Sequence, residues 1–530
     1  MYSNIKNPEH WILSEIVDEI AEVKADVLWL SDDQGNRLSF GEAKTYGRRA
    51  AGYFHKLNIK PGDRVGVFMY NSCDFALVWL GLGYLGATAV FLNTELRANF
   101  LKHQLLDSGV AHVVADAELL GSLAELADEC TQLKTVVVSG DIPSETTFPD
   151  DWAVFQWPQL AAEPEWTGPA PRAWDIAAIM YTSGTSGPAK GVLMPYAHCA
   201  LYGIGTIECL ELTEEDRYYI SLPMFHANAL LMQLFATLLV GCAAFTRRRF
   251  SAGHWLADIR KEKCTVTNLL GATAAFVLAQ PATDADRDHS LRALMNAPNV
   301  PVHESAFHTR FGIKEVLSGY GMTENNIPIW GKLGHSVPGA AGWVHQDHFE
   351  VRIADTTSDM PVRSGEIGEI LVRPKVPNGF MAGYLNAPDK TVAAWRNLWF
   401  HTGDAGTMDD TGLVTFVDRL RDCIRRRGHN ISASEIEDAL SGIEGVAEVA
   451  AFPVPSDILG GEDEIMLAVV GTPGSDLDPV KLGREACERV PRFARPRFIK
   501  IVGKLPKTAT GKVQRAVLRE QGRADATDLS

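Results

Sequence analysis

Residues 181–191 read Tyr181-Thr182-Ser183-Gly184-Thr185-Ser186-Gly187-Pro188-Ala189-Lys190-Gly191. The five residues before them, 176–180, are mostly apolar, and the glycines and hydroxyls follow at once, so the segment predicts a buried strand running into a flexible loop. Such a loop suits phosphate. Glycines let backbone N–H groups close on anionic oxygens, the Thr and Ser hydroxyls add neutral donors, and Lys190 adds a charge able to follow a leaving group. The spacing is not that of the P-loop, because Gly191 follows Lys190 where a magnesium-holding hydroxyl would stand. Composition alone would make the stretch a solvated surface turn; the segments that accompany it give it another meaning.

Working outward, residues 315–318 predict a strand that ends in Gly319-Tyr320-Gly321-Met322-Thr323-Glu324. An aromatic between glycines offers a flat face to a purine, and the adjacent Thr-Glu offers oxygens to a magnesium–phosphate assembly. Upstream of that segment, Ser221-Leu222-Pro223-Met224-Phe225-His226 opens an apolar helix. Further on come His401-Thr402-Gly403-Asp404, then a run with four arginines from Arg421 to Arg427 that reads as a domain boundary, and finally Leu505-Pro506-Lys507-Thr508-Ala509-Thr510-Gly511-Lys512 before a short helix. Taken singly, each is an ordinary turn, a core histidine or a solvated basic face.

Together and in this order, the segments resemble those of the adenylate-forming (AMP-binding) superfamily of acyl-CoA synthetases, peptide-synthetase adenylation domains and luciferases. The resemblance implies an α/β fold: a large N-terminal domain of flanked βα sheets plus a β subdomain (1–418), and a small mobile α+β C-terminal lid (419–530) hinged near Arg421. It implies phosphate contacts for Thr182, Ser183, Gly184, Thr185, Ser186, Lys190 and Thr323, and nucleotide contacts for Asn296, Ala297, Gly319, Tyr320 and Gly321, with adenine stacking on Tyr320. Glu324 and Thr182 would hold Mg²⁺ and take part in catalysis, Asp404 and Arg419 would meet the ribose, and Lys512 would be the catalytic lysine. His226 would gate and orient the acid, and Gly428 would leave room for the pantetheine arm of coenzyme A. Where the superfamily usually has Asp or Lys at the hinge, this chain has Arg421. Residues 252–280, with Cys264-Thr265-Val266-Thr267 and then Leu278-Ala279-Gln280-Pro281, look most similar to crotonobetaine/carnitine-CoA ligases.

The rest of the chain agrees with a large globular enzyme. Its 530 residues exceed one core, and 46% hydrophobic with 22% charged residues is ordinary globular composition. Residues 27–140 and 264–331 alternate strand and helix patterns, which argues for parallel sheets with ligands at the carboxyl ends of the strands. Residues 141–172 lack periodicity and read as a surface connection. Beyond the boundary, Ser432 to Glu435 fits a capping box, and strands near 446–452, 465–470 and 498–502 alternate with a helix at 479–489. A net charge of −16 argues against nucleic acid or an anionic membrane as partner. Eight scattered cysteines suggest reduced cytoplasmic thiols, with no zinc site or disulfide framework. The uncharged stretches 75–93 and 227–245 contain breakers and read as buried helices turning at glycine into strands, not as membrane spans.

The expected reaction is then ATP-dependent carboxylic acid:CoA ligation through an acyl-adenylate, with ATP, Mg²⁺ and coenzyme A, in carboxylic or fatty acid metabolism. A carboxylate has no good leaving group until its oxygen carries one, and joining it to ATP brings two anions together, so the protein must position them and neutralise charge. The alternatives are a stand-alone enzyme that loads a carrier protein and a nucleotide-binding protein that has lost catalysis. The identity of the acid stays open, as does the assembly, for which a homodimer is one candidate.

Overall fold

The computed structural model describes residues 1–142, 146–182, 189–298, 300–420, 424–426, 429–431, 433–455, 463–490, 494–507 and 513–529. The backbone groups into two compact units, Met1–Val351 with Val372–Phe400, and Arg352–Leu371 with His401–Ser530.

Two sheets organise the larger unit. The first runs, neighbour to neighbour, Gly383–Tyr384, Lys190–Pro195, Ile176–Thr182, Thr88–Phe91, Arg64–Phe68, His112–Asp116, Thr135–Ser139 and Ala153–Gln156. From Ile176–Thr182 onward every pair is parallel; Lys190–Pro195 and Gly383–Tyr384 close that edge antiparallel. The second runs Glu315–Leu317, Ala293–Ala297, Val266–Leu270, Arg217–Ile220, Ala243–Thr246, Leu28–Asp32 and Arg37–Ser39, parallel except for the last pair. Strands such as Thr88–Phe91 are buried along their whole length, which is why they read as unbroken apolar runs.

The helices follow from local chemistry. Cys73–Leu85 starts where the Ser72 hydroxyl accepts from Phe75 N–H at 3.0 Å, and it stops at Gly86, whose φ of +76° is left-handed. The apolar stretch thus turns at glycine into Thr88–Phe91, as expected. Gly81 has a packing reason: a Cβ there would stand 2.6 Å from the Cβ of Ala50 on helix Phe40–Lys56. Among the described residues no helix is long and apolar enough to cross a membrane.

Three local expectations need correction. Residues 141–172 are not only connection, since Ala153–Gln156 adds a parallel edge strand; with one neighbour and mostly exposed side chains it carries no apolar pattern. The apolar helix after His226 begins as a π-helical turn, Asn228–Leu234, before the α-helix Phe235–Val240. The glycine-rich segment is itself a strand, Gly319–Met322, paired antiparallel with Asn326–Trp330 across the turn 323–325.

The smaller unit holds an antiparallel pair in which Asp404 to Met408 face Leu413–Arg419. Its four-stranded sheet has the order Val446–Val454, Glu464–Gly471, Phe498–Ile501, Thr527–Asp528. Period-two alternation gives this sheet a core on each face. Ile465, Leu467 and Val469 pack with Ile436, Leu440, Leu482 and Ala486 of the helices Ala433–Leu440 and Pro479–Arg489. Met466 and Ala468 pack with Phe498, Leu505 and Leu518 on the other side. The capping box at Ser432 lies outside the described residues.

Candidate active site

Thr182 ends its strand and Lys190 begins the next, and the two residues face each other in register, with Thr182 Oγ1 donating to the Lys190 carbonyl at 3.5 Å. The segment is therefore the mouth of a hairpin, a return strand the sequence reading did not foresee. Ser183, Gly184, Thr185 and Ser186 lie outside the described residues. Both arms of the mouth are fastened: Tyr181 Oη donates to Asp107 Oδ2 at 2.8 Å, and His103 Nε2 lies 2.8 Å from the Ala189 carbonyl.

Lys190 leads directly to the second motif. Its Nζ stands 3.9 Å from the centre of the Tyr384 ring, a cation–π distance. Tyr384 Oη in turn donates to Glu324 Oε1 at 2.9 Å. Strand pairing sets this up, because Gly383–Tyr384 lies alongside Lys190–Pro195 with Tyr384 opposite Val192. Burial lowers the Lys190 pKa, Glu324 acting against that shift and Lys390 with it. Burial first and Glu324 second push the Tyr384 phenol up, so it stays a proton donor. A half-desolvated ammonium is screened less than a solvated one and so acts on a nearby anion more strongly, the Glu324 charge offsetting part of that pull.

The turn bearing Thr323 and Glu324 is held by residues the sequence reading missed. Met322 N–H donates to Asn325 Oδ1 at 2.9 Å, and Tyr202 Oη donates to the Met322 carbonyl at 2.9 Å. His198, fully buried, places Nε2 2.9 Å from the Thr323 carbonyl, while its Nδ1 faces the Gly379 carbonyl at 3.1 Å and Asn326 Nδ2 at 3.4 Å. Burial lowers the His198 pKa against the pull of those carbonyls. A neutral ring donates from one nitrogen only: protonated at Nε2 it donates to Thr323 and accepts from Asn326, and the Gly379 carbonyl then faces a nitrogen without a proton; the tautomer is assigned from the partners. His198 and Tyr202 stand four apart, on one face of the helix Tyr196–Leu210 that follows the lysine strand, a spacing that puts them together but does not say what they hold.

Tyr320 is nearly buried and lies opposite Ile329. Gly321 has its own reason to be glycine, since a Cβ would meet the Asn326 carbonyl at 2.0 Å. Asn296 and Ala297 close the strand Ala293–Ala297 at its carboxyl end. Asn296 is fully buried, yet neither its Nδ2 nor its Oδ1 has a partner among the described residues. A buried donor and acceptor left together is what a ligand with a complementary edge would complete.

His226 follows Phe225, whose ring centre is 4.6 Å from its own. The imidazole keeps accessible surface, but the protein packed around it lowers its pKa to about 4 by desolvation. It is neutral at neutral pH, as an orienting group would be. Two residues on in sequence, Asn228 Oδ1 accepts from Asn268 at 3.0 Å and from Gln233 at 2.9 Å, and Tyr218 Oη donates to Asn268 Oδ1 at 2.6 Å. This buried polar chain, with Gln233 Oε1 left without a partner among the described residues, was not legible in an apolar stretch.

In the smaller unit, Asp404 is buried and paired in register with Arg419, whose Nε is 2.9 Å from Asp404 Oδ1. The strand Trp399–Met408 carries Asp404, and the residues just before it, expected as a turn, are held by Glu369, which accepts from Gly403 N–H at 3.0 Å and from His401 Nδ1 at 2.8 Å. Gly428, Arg421 and Lys512 lie outside the described residues. Close to the last, Lys507 and Val513 pair as an isolated antiparallel bridge, and Arg515 reaches both Glu437 oxygens at 2.8 and 2.7 Å.

A cavity of about 470 Å³ lies elsewhere, lined by Asp74, Asp116, Glu118, Asp141 and Arg248 among others. It contains none of the residues above, and four carboxylates against one guanidinium would repel a polyphosphate. For Mg²⁺, the Glu324 carboxylate and Thr182 hydroxyl are the hard oxygen donors that ion takes.

Comparison with known proteins agrees with the motifs. Residues 17–385 match the AMP-binding enzyme family and residues 435–512 its C-terminal domain. A (7a-methyl-1,5-dioxo-octahydro-1H-inden-4-yl)propanoyl:CoA ligase of Rhodococcus jostii is 32% identical, covering 92% of this chain and 94% of its own. A crotonobetaine/carnitine–CoA ligase of Salmonella paratyphi A is 28% identical over 94% and 97%. Long-chain fatty acid transport protein 1 of Mus musculus is 28% identical over 96% of this chain and 82% of its own. ATP-bound MatB from Rhodopseudomonas palustris shares the fold, with a TM-score of 0.81 at 24% identity over 96% and 98% of the two chains. The chain belongs to the AMP-binding enzyme family, as an adenylate-forming enzyme of the AMP-forming acid–thiol ligase class.

Proposed function

We propose that this enzyme joins a carboxylic acid to coenzyme A at the expense of ATP, through an acyl-adenylate, with release of pyrophosphate and AMP. The observation that supports this most is the Lys190–Tyr384–Glu324 chain: the phosphate-loop lysine and the acidic turn, far apart in sequence, are linked through one phenol. In this reading the donors of residues 182–186 and Lys190 hold the phosphates, with Thr323 beside them. Asn296, Ala297 and the Gly319 to Gly321 segment take the base, and Asp404 with Arg419 takes the ribose. Thr182 and Glu324 hold Mg²⁺, which when bound offsets phosphate charge. His226 orients the acid. The hinge lies near Arg421, between residues 1–418 and a lid of residues 419–530 that brings Lys512 for adenylation and the Gly428 region for thioester formation. The enzyme works in the cytoplasm.

The acid itself is sought by screening pyrophosphate release over short, medium, aromatic, steroid and quaternary-ammonium acids with ATP and Mg²⁺. With the acid in hand, Lys512→Ala is expected to slow adenylation by about a hundredfold or more, while thioester formation from supplied acyl-adenylate is nearly unchanged. Equal loss in both half-reactions would remove Lys512 from the role given it.

A further inference from the structure

Glu208, near the end of the helix Tyr196–Leu210, meets His345 and His348 on the turn between the strands Gly342–Val344 and Phe349–Ala354. One ligand atom from each residue lies within 4.8 Å of the others. Both imidazoles aim Nε2 at the same carboxylate oxygen, Glu208 Oε2, with His345 in direct contact and His348 at 3.3 Å. The rings stand at 86° with centres 4.4 Å apart, so their lone pairs converge from different directions. Backbone bonds fix both histidines: His345 N–H donates to the Pro328 carbonyl at 2.9 Å, His348 N–H to the His345 carbonyl at 3.1 Å, and Lys375 N–H to the His348 carbonyl at 2.8 Å. Glu208 is exposed and able to swing.

We propose that Glu208, His345 and His348 bind a divalent transition ion of the zinc class. Two imidazoles and one carboxylate are a ligand set for Zn²⁺ or Co²⁺, with the remaining positions open to water, whereas Mg²⁺ prefers oxygens alone. The site is thus chemically distinct from the Mg²⁺ of the reaction. Hydrogen bonding within the cluster does not satisfy the rings, since Nδ1 of both histidines is buried and has no partner among the described residues. The lack of an acceptor behind each ring makes micromolar affinity the expectation rather than the tight binding of a fully supported zinc centre. A chain of net charge −16 favours cation capture in general. Competing thiols are few, because the described free cysteines are all buried except the half-buried Cys487. Bound metal would tie the end of the helix to the 345–348 turn. That helix also carries His198 and Tyr202, so the ion would stiffen the element that holds the Thr323 turn.

The test uses the full chain, stripped with a chelator and desalted, then titrated with Zn²⁺ against a chromophoric competitor and with Co²⁺ by its visible absorption. One ion per chain is expected, with a rise in Tm of a few degrees at saturating metal. Glu208→Gln and His348→Gln should each weaken binding about tenfold or more and lose the Tm rise. Pyrophosphate release with Mg²⁺-ATP should persist in both. Glu208→Gln, on an exposed side chain, folds whatever His348→Gln does. Absence of stoichiometric binding, or binding that Glu208→Gln leaves unchanged, overturns the site.

Discussion

Asn296, at zero exposure, carries two polar atoms that have no partner among the described residues, a cost without visible return there. Leaving a buried donor or acceptor unmade costs about 1–3 kcal/mol, so an apolar isostere should fold as well or better. Asn296→Leu is therefore expected to hold or raise Tm while raising the KM for ATP about tenfold. An unchanged KM would reassign those atoms to some role other than the nucleotide. His226 gives a second prediction, in pH. Its folded pKa of about 4 lies below the ordinary histidine value near 6.5. Between the two the unfolded chain holds more protons, so stability is complete above the unfolded value and falls as pH drops toward 4. His226→Gln should flatten part of that fall in Tm, and, the ring being neutral at neutral pH, the adenylation profile from pH 6 to 8 should keep its shape. Loss of a limb of that profile would give His226 an acid–base duty in place of the orienting role.

At the scale of elements, each glycine-rich motif belongs with a pair of antiparallel strands, and that is where sequence reading reached its limit. The strand Ile176–Thr182 was legible from its apolar run, but its return partner Lys190–Pro195 begins with the lysine that chemistry had claimed. Likewise Gly319–Met322 looked like a loop because glycine has poor strand propensity, although Gly321 is required by close approach to Asn326. The residues with motif chemistry could be named from the sequence as candidates, whereas Tyr384, His198 and Tyr202 were not singled out. Their work is to hold other residues, through contacts 60 to 181 positions apart, and such contacts leave no mark on local pattern. His198 tests whether this support matters. His198→Phe leaves the Thr323 carbonyl without its donor, at a cost of about 1–3 kcal/mol in stability. We expect pyrophosphate release to drop at temperatures where the variant is fully folded, with partial recovery in His198→Gln. A destabilised variant with unchanged kcat would make the lock structural only.

For the whole molecule, the question is whether residues 419–530, proposed above as a lid, form a separable part. Every residue of its two cores lies between Ile424 and Leu518. The central strand Glu464–Gly471 feeds both cores through alternate side chains, and the pair Arg515–Glu437 ties the chain beyond Lys512 back to the first helix of this region. A fragment of residues 419–530 thus holds what a small domain needs: a sheet covered on both faces by its own residues, within the usual size of independent folds. Expressed alone, it is expected to unfold cooperatively on heating, as followed by far-ultraviolet circular dichroism, and to give a dispersed amide NMR spectrum. The complementary fragment, residues 1–418, should retain ATP binding, weakened by the loss of Arg419, since the loop, the acidic turn and Asp404 remain, yet lose adenylation by a factor comparable to Lys512→Ala, about a hundredfold or more. If residues 419–530 melted without cooperativity, or if the lidless enzyme formed adenylate at an undiminished rate, a swinging lid hinged near Arg421 would no longer account for how one site serves two reactions.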